Sequence, residues 1–350
     1  MSETPRPWPQ ADLEAVPHCP VCGGAERSLL YTGLTDRVFC VADGAWDLYR
    51  CAQCASGYLD PRPTPESIGR AYAGYYTHDA EDRPIVRRKG RIRSLLHDLI
   101  NGYQNHRYGL QRSPALPIGR WLLPLLPSLR TAADAECRHL PPLPAGGGRL
   151  LDVGCGNGGF LMLARQAGWQ VEGLDFDAGA VQVARARGLE VHHGGIEVLG
   201  ERSACFDFIT LSHVIEHVHD PLILMRTLNG LLKSSGTLWL ETPNIDSLCS
   251  AKFKENWRGL ESPRHLTIFS RAGLEKIFDD ALFDKKKYFW HGVSAASVYV
   301  SSQSIKSCIK NVPQSGFLTE LNAISYDLLE MAAASRREYL TVRVAKLKSI

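Results

Sequence analysis

The chain has 350 residues, 44% of them apolar, and a formal charge of +3 at pH 7. That is enough for one large domain with attachments, and too near neutrality to imply a nucleic-acid partner. No run of about 18 apolar residues occurs, and MSETPRPWPQ lacks a basic start followed by an apolar stretch, so neither a transmembrane segment nor secretion is expected and the location expected is cytoplasmic.

In such a compartment the ten cysteines need a reducing-environment role. Cys19 and Cys22 (HCPVCGG) and Cys51 and Cys54 (RCAQCAS) form two C-x-x-C knuckles separated by short strand-like pieces. Four thiolates so arranged close a tetrahedral site around structural Zn²⁺, which lets a segment too small to bury a core fold as a zinc ribbon over residues 1–79. A redox pair and a catalytic zinc are the alternatives. Cys40, Cys137, Cys155, Cys205, Cys249 and Cys308 read as packed thiols.

DPRPTP stiffens the exit from the ribbon, and the YAGYY segment that follows brings tyrosines, among them Tyr75 and Tyr76. They read as rings packing the ribbon against a helix, or as a cover closing on substrate. Arg83, Arg87, Arg88, Lys89, Arg91 and Arg93 lead into an amphipathic helix near Ile92 to Ile100, read as a solvated face, with an anionic head group or membrane surface as alternatives. The prolines of WLLPLLPSL forbid one continuous helix there. Residues 80–145 thus read as a helical connecting segment, ending in the PPLPAGGG linker.

From residue 146 to 350 strands and helices alternate. Leu150 to Val153 read as a buried strand opening into Gly154-x-Gly156-x-Gly158, then a helix from Gly159 to Gln166 and a strand QVEGLDFD ending at Asp175. A helix from Ala178 to Arg187 stops at Gly188, Leu189 to His193 follow as a strand, and Gly194, Gly195 and Ile196 turn away. FDFITLSHVIEHVHDP reads as a fourth strand, a polar turn and a helix capped by Asp220 with Pro221 at its first position. Helix Leu222 to Leu232, strand Thr237 to Glu241, WRGLESPRHLTIFS with Ser270 capping helix Arg271 to Asp280, and last strands Lys285 to His291 and Tyr339 to Lys346 complete the order. The Ser-rich stretch between those strands is longer than a tight hairpin needs.

This order resembles the class I S-adenosylmethionine (SAM) methyltransferases, whose fold is α/β: a Rossmann-like, doubly wound seven-stranded sheet. The resemblance implies SAM as cofactor, held by Asp152, Gly154, Cys155, Gly156, Asn157, Phe160, Asp175, Phe176, Ile196, Ser212 and His213. It also implies that the Pro-Arg-His-Leu turn lies over the cleft. For the chemistry, His213, Glu216, His217 and His265 are the candidate catalytic residues. One of the histidines can serve as general base. The H-x-x-E-H spacing also puts His213, Glu216 and His217 on one helical face, so a second divalent metal with His265 as fourth ligand is an alternative, supported by likeness to ubiquinone-pathway and small-RNA 2′-O-methyltransferases. The bland reading is a structural cap on the turn. The function expected is O-methylation of a polar small molecule, a saccharide or polysaccharide or secondary-metabolite precursor, anionic or nucleotide-linked. C-methylation of a nucleotide-linked keto sugar is the runner-up, and a ribbon binding module tethered to a protein- or RNA-modifying SAM fold comes from another class.

Overall fold

The structure is a computed structural model and describes residues 7–72, 91–292, 294–306 and 317–347. Tyr75, Tyr76, Arg83, Arg87, Arg88, Lys89 and Cys308 lie outside the described residues.

The amino-terminal part is built from short strands: β1 (Leu13–Glu14), β2 (Arg27–Leu34), β3 (Trp46–Cys51), β4 (Gly57–Leu59) and β5 (Arg62–Pro63). β2, β3 and β4 form an antiparallel sheet with one knuckle on either side of β2–β3. Each knuckle closes on backbone hydrogen bonds, Gly23 N to Cys19 O at 2.8 Å and Ala55 N to Cys51 O at 3.1 Å. Cys40 is exposed in a left-handed conformation, which corrects its reading as a packed thiol: Asp36 accepts from the amides of Phe39, Val41 and Ala42, and the loop tightened around that carboxylate carries Cys40 outward.

The connecting segment is helical: α1 (Arg91–Tyr108), α2 (Gly119–Leu122) and α3 (Pro127–Glu136). As the prolines require, the WLLPLLPSL stretch breaks between α2 and α3.

The large sheet has seven strands. β6 (Arg149–Val153), β7 (Gln170–Asp175), β8 (Glu190–His193), β9 (Phe206–Ser212) and β10 (Leu232–Pro243) are parallel, with helices α4 (Gly159–Gln166), α5 (Ala178–Ala186) and α6 (Pro221–Leu231) in the crossovers. After α7 (Leu248–Phe253), β11 (Thr267–Ile268) and α8 (Arg271–Asp280), the sheet ends with β12 (Phe283–Phe289) and β13 (Tyr339–Lys346), the latter antiparallel to both neighbours. The order is β12-β13-β10-β9-β6-β7-β8. It reverses at β6, so a crevice opens at the carboxyl ends of β6 and β9. The two capping expectations hold: Asp220 caps α6 with Pro221 at its start, and Ser270 accepts from Gly273 N at 2.9 Å; Asp177, in addition, caps α5.

Two departures from the sequence reading matter. The chain between the last strands carries α9 (Ser294–Lys306), inside the stretch rich in Ser up to Pro313, and α10 (Phe317–Ala332) beyond it. Its serines satisfy themselves against the preceding turn, as Ser301 and Ser304 do on the carbonyls of Ser297 and Val300, while Val298 and Tyr299 turn inward. Moreover, β11 pairs with β4, giving the ribbon sheet a fourth strand from the Pro-Arg-His-Leu segment. Trp8, Trp46 and Leu48 share a core with Phe253, Trp257 and Tyr299. The ribbon is therefore built into the large domain and not tethered to it, and the Pro-Arg-His-Leu segment forms part of this seam, with Leu266 N donating to Glu216 O at 2.9 Å.

Candidate active site

The glycine turn after β6 needs its glycines. Gly154 (φ 71°) is left-handed, and a Cβ there would lie 2.5 Å from Val214 Cγ2. Gly156 N donates to Asp175 Oδ2 at 2.8 Å and Asp177 N to Asp175 Oδ1 at 2.8 Å. Each oxygen keeps a lone pair, so the carboxylate still suits the two hydroxyls of a ribose. Phe176 is 73% exposed, and Gly195 lies so near it that a Cβ would fall 2.8 Å from the ring. Such a bare ring beside glycines and the half-buried Ile196 suits the face of an adenine. Asn157 accepts from Gly159 N at 3.2 Å at the start of α4. Cys155 is buried behind the turn, its thiol raised by burial. Asp152 is sealed in: Thr210 Oγ1 donates to it at 2.8 Å and Arg138 ion-pairs with it. Burial pushes its carboxyl up, with Arg138 opposing. Its role here is to hold Arg138, whose guanidinium lies 4.2 Å over the Phe160 ring.

His213 follows β9 in a left-handed conformation (φ 55°), and residues Ile215–His217 form a 3₁₀ turn. The single helical face expected for H-x-x-E-H is therefore absent, because the helix begins only at Pro221, and the four residues fall into two groups that share Glu216. In the first, His213 lies between two buried carboxylates, Nδ1 3.2 Å from Glu216 and Nε2 3.6 Å from Glu241. Burial opposes its charge, but these two partners raise its pKa to about 10. Across Glu241 stands His291, its Nδ1 2.7 Å from Glu241 Oε2, which also accepts from Thr341 Oγ1 at 2.6 Å. Burial works against the His291 cation and Glu241 more than offsets it, so its pKa is raised. Tyr339 packs edge-on to both imidazoles.

In the second group, Glu216, His217 and His265 place ligand atoms within 4.8 Å of one another, without His213. His217 Nδ1 faces Arg264 O at 3.0 Å and Tyr72 OH at 3.0 Å, and His265 Nδ1 faces Gly259 O at 2.8 Å. Burial lowers His265 to about 4. Tyr72 is the one residue of YAGYY among the described residues, and it reaches this group from the ribbon exit.

A cavity of about 700 Å³ opens beside the glycine turn, lined by Phe160, Ser212, Trp239, Glu241, His291 and the connecting segment's Arg112, Glu136 and Arg138. None of the four candidate catalytic residues is among its lining side chains. Glu241 and His291 are the titratable groups that sequence reasoning missed at the acceptor side. The signal existed: Glu241 ends a strand already read, at the carboxyl edge where ligands sit. Arg138 gave no signal, since its position depends on how the connecting segment folds back.

The knuckle thiols converge as well. Cys19 Sγ lies 3.6 Å from Cys54 Sγ, and Cys22 Sγ 3.5 Å from Cys51 Sγ. A tetrahedron with Zn–S of about 2.3 Å has edges of roughly 3.8 Å, so the four residues fit Zn²⁺. Hydrogen bonding from Cys19 lowers Cys54 to about 5, and the same bond together with burial raises Cys19.

A family described as a methyltransferase domain matches residues 127–285, from α3 through the glycine turn to the start of β12. Over these residues the chain resembles a methyltransferase domain. Similar to this domain are two ubiquinone biosynthesis O-methyltransferases. That of Xanthomonas campestris pv. campestris (strain B100) is 37% identical over 105 residues, 28% of this chain and 44% of the relative. That of Xanthomonas oryzae pv. oryzae (strain PXO99A) is 36% identical over 109 residues, 29% and 46% respectively. The chain thus matches less than half the length of these relatives. Among solved structures, a SAM-dependent methyltransferase from Archaeoglobus fulgidus aligns over 65% of this chain and 99% of its own, with 20% identity and a TM-score of 0.44.

Proposed function

We propose that the methyltransferase domain moves the methyl group of SAM to a hydroxyl of a polar small molecule held in the cavity, a saccharide or a polysaccharide or secondary-metabolite precursor, in the cytoplasm. The observation that carries this reading is the cavity lining itself. Arg112, Glu136, Arg138, Ser212, Glu241 and His291 surround a space next to the cofactor turn with donors and acceptors suited to a polyhydroxylated molecule.

Bound SAM supplies an electrophilic methyl on a sulfonium centre. The protein's part is to position the acceptor and take its proton. Glu241 accepts only, so the close contact assigns a proton to His291 Nδ1, and Nε2 is left as the base. Glu241 orients that ring and stabilises the imidazolium formed on proton transfer. His213, with a carboxylate at each nitrogen, is held as a cation at neutral pH and fixes Glu241 from the other side.

For a nucleotide-linked keto sugar, the same His291 would remove a proton from carbon next to the carbonyl, and C-methylation would follow. Incubation with labelled SAM and a panel of sugars and nucleotide sugars tests both, with NMR of the product telling O-methyl from C-methyl. No transfer to any polyhydroxylated acceptor would overturn the reading. A second divalent metal is favoured by one observation: Glu216, His217 and His265 bring ligand atoms within 4.8 Å of one another, and both histidines turn Nδ1 to a backbone carbonyl. Chelation that abolishes turnover while ribbon zinc is retained, with recovery in Mg²⁺ or Mn²⁺, would identify it.

A further inference from the structure

Half of the large apolar side chains exposed among the described residues fall on two segments. Ile118, Trp121, Leu122, Leu125 and Leu126 stand out along α2 and the break that separates it from α3, Trp121 at 66% and Leu125 at 75% exposure. Ile324, Leu328, Leu329 and Met331 stand out on α10, whose opposite face buries Ala323, Asp327 and Glu330. The two stripes meet where Ser128 Oγ approaches Met331 Sδ at 3.9 Å. Single exposed leucines need no explanation, but nine large apolar residues on two touching segments do.

From this patch we infer that the protein docks on an anionic lipid bilayer through α2–α3 and α10. The charges around the patch choose the partner. Residues 114–133 contain no carboxylate, and the two within 322–337, Asp327 and Glu330, are buried. Exposed Arg120, Arg130 and Arg336 belong to the same two segments. Arg120 lies 4.9 Å over the Trp121 ring, putting an amphipathic indole beside a cation, as favoured at the boundary between headgroups and acyl chains. A second copy of the chain is a poor occupant. A two-fold interface sets one patch against itself, and residues 114–133 and 322–337 would then bring arginines together with no exposed carboxylate from the same stretches to meet them. The prolines that forbid a long membrane-lying helix therefore have a different consequence: they splay Trp121, Leu122, Leu125 and Leu126 outward over a short distance.

Docking would also orient the active site. Ala132, Ala135 and Glu136 of α3 line the cavity, and Ala132 is about 9 Å along the helix from Leu126 at 1.5 Å per residue. The cavity would then stand near the headgroup plane, whichever acceptor is methylated.

Vesicle flotation with the full chain tests this, using phosphatidylcholine vesicles with and without phosphatidylglycerol. The chain should float with the anionic vesicles only. Leu125→Glu and Leu328→Glu should each weaken partitioning roughly ten- to hundredfold, the loss expected for one buried leucine. Arg120→Glu should weaken it as well, and thermal unfolding and SAM affinity of all three variants should match the parent. Absence of binding to anionic vesicles would overturn the inference, as would binding that all three variants retain. A dimer seen by light scattering that Leu125→Glu dissolves, without vesicle binding by the parent, would assign the patch to self-association instead.

Discussion

Arg264 offers the sharpest test of how ribbon and methyltransferase domain hold together. Its side chain is fully buried and forks onto Asp36, with Nη2 to Oδ1 at 2.6 Å and Nη1 to Oδ2 at 3.1 Å. It also donates to Ala71 O at 2.9 Å and to Glu261 Oε1 at 3.2 Å. Replacement by Met keeps much of the volume and strands the Asp36 carboxylate, itself 1% exposed, so the expected loss is about 3–5 kcal/mol. Burial alone would raise Asp36, but Arg264 and the loop amides bring it from 3.8 to about 2. The depressed value means that the pair's stabilisation is present above pH 3.8 and is lost as pH falls through about 2, amounting to roughly 2 kcal/mol. Hence the deficit of Arg264→Met should shrink on acidification, and Asp36→Asn combined with Arg264→Met should recover much of it. Urea unfolding of the two single variants and the double variant measures the coupling. A loss below about 1 kcal/mol in Arg264→Met, or a double variant as unstable as the sum of its parts, would refute the clamp.

Four further outcomes follow from the site. His291→Ala and Glu241→Gln should each lower turnover about a hundredfold or more with SAM affinity near normal by calorimetry; full turnover in both would move proton removal elsewhere. Asp175→Ala should weaken SAM by roughly 1.5–3 kcal/mol for each charge-assisted bond lost, and an unchanged titration would remove it from the cofactor site. Metal analysis should give about one zinc per chain. Cys51→Ser should abolish it and lower the melting temperature of the whole chain, because β4 and β11 share a sheet; zinc-free parent protein would end the four-thiolate reading. Glu338 is buried with its pKa raised by burial from 4.5 to about 8. Its contribution is intact below 4.5 and is lost as pH rises through about 8, so Glu338→Gln should gain roughly 3 kcal/mol at neutral pH and show a flatter urea-midpoint profile from about pH 4.5 to about pH 8.

Much of the large sheet was legible in the chain because its signals are local. A buried run ending in Asp152 and three glycines, an acid at Asp175, and caps at Asp220 and Ser270 each state a backbone conformation within a few residues. The knuckle spacing did the same for Cys19, Cys22, Cys51 and Cys54, since metal-ligand geometry restricts the turns that carry it. Strand Tyr339 to Lys346 was bounded to the residue, while α9 was missed because its serines look like loop residues until their hydroxyls find carbonyls one turn back.

What the sequence could not say concerns contacts between distant segments. Glu241 and His291 are 50 residues apart and meet because β10 and β12 both deliver their carboxyl ends to one edge, on either side of β13. Asp36 and Arg264 are 228 apart and form a pair because a fourth strand joins the ribbon sheet. Residue types and turns were written locally, where a side chain need only satisfy its own backbone. The partners of the buried charges, and so which histidine is a cation and which is open to the cavity, were decided when burial removed water and left each charge only the groups the fold had brought beside it.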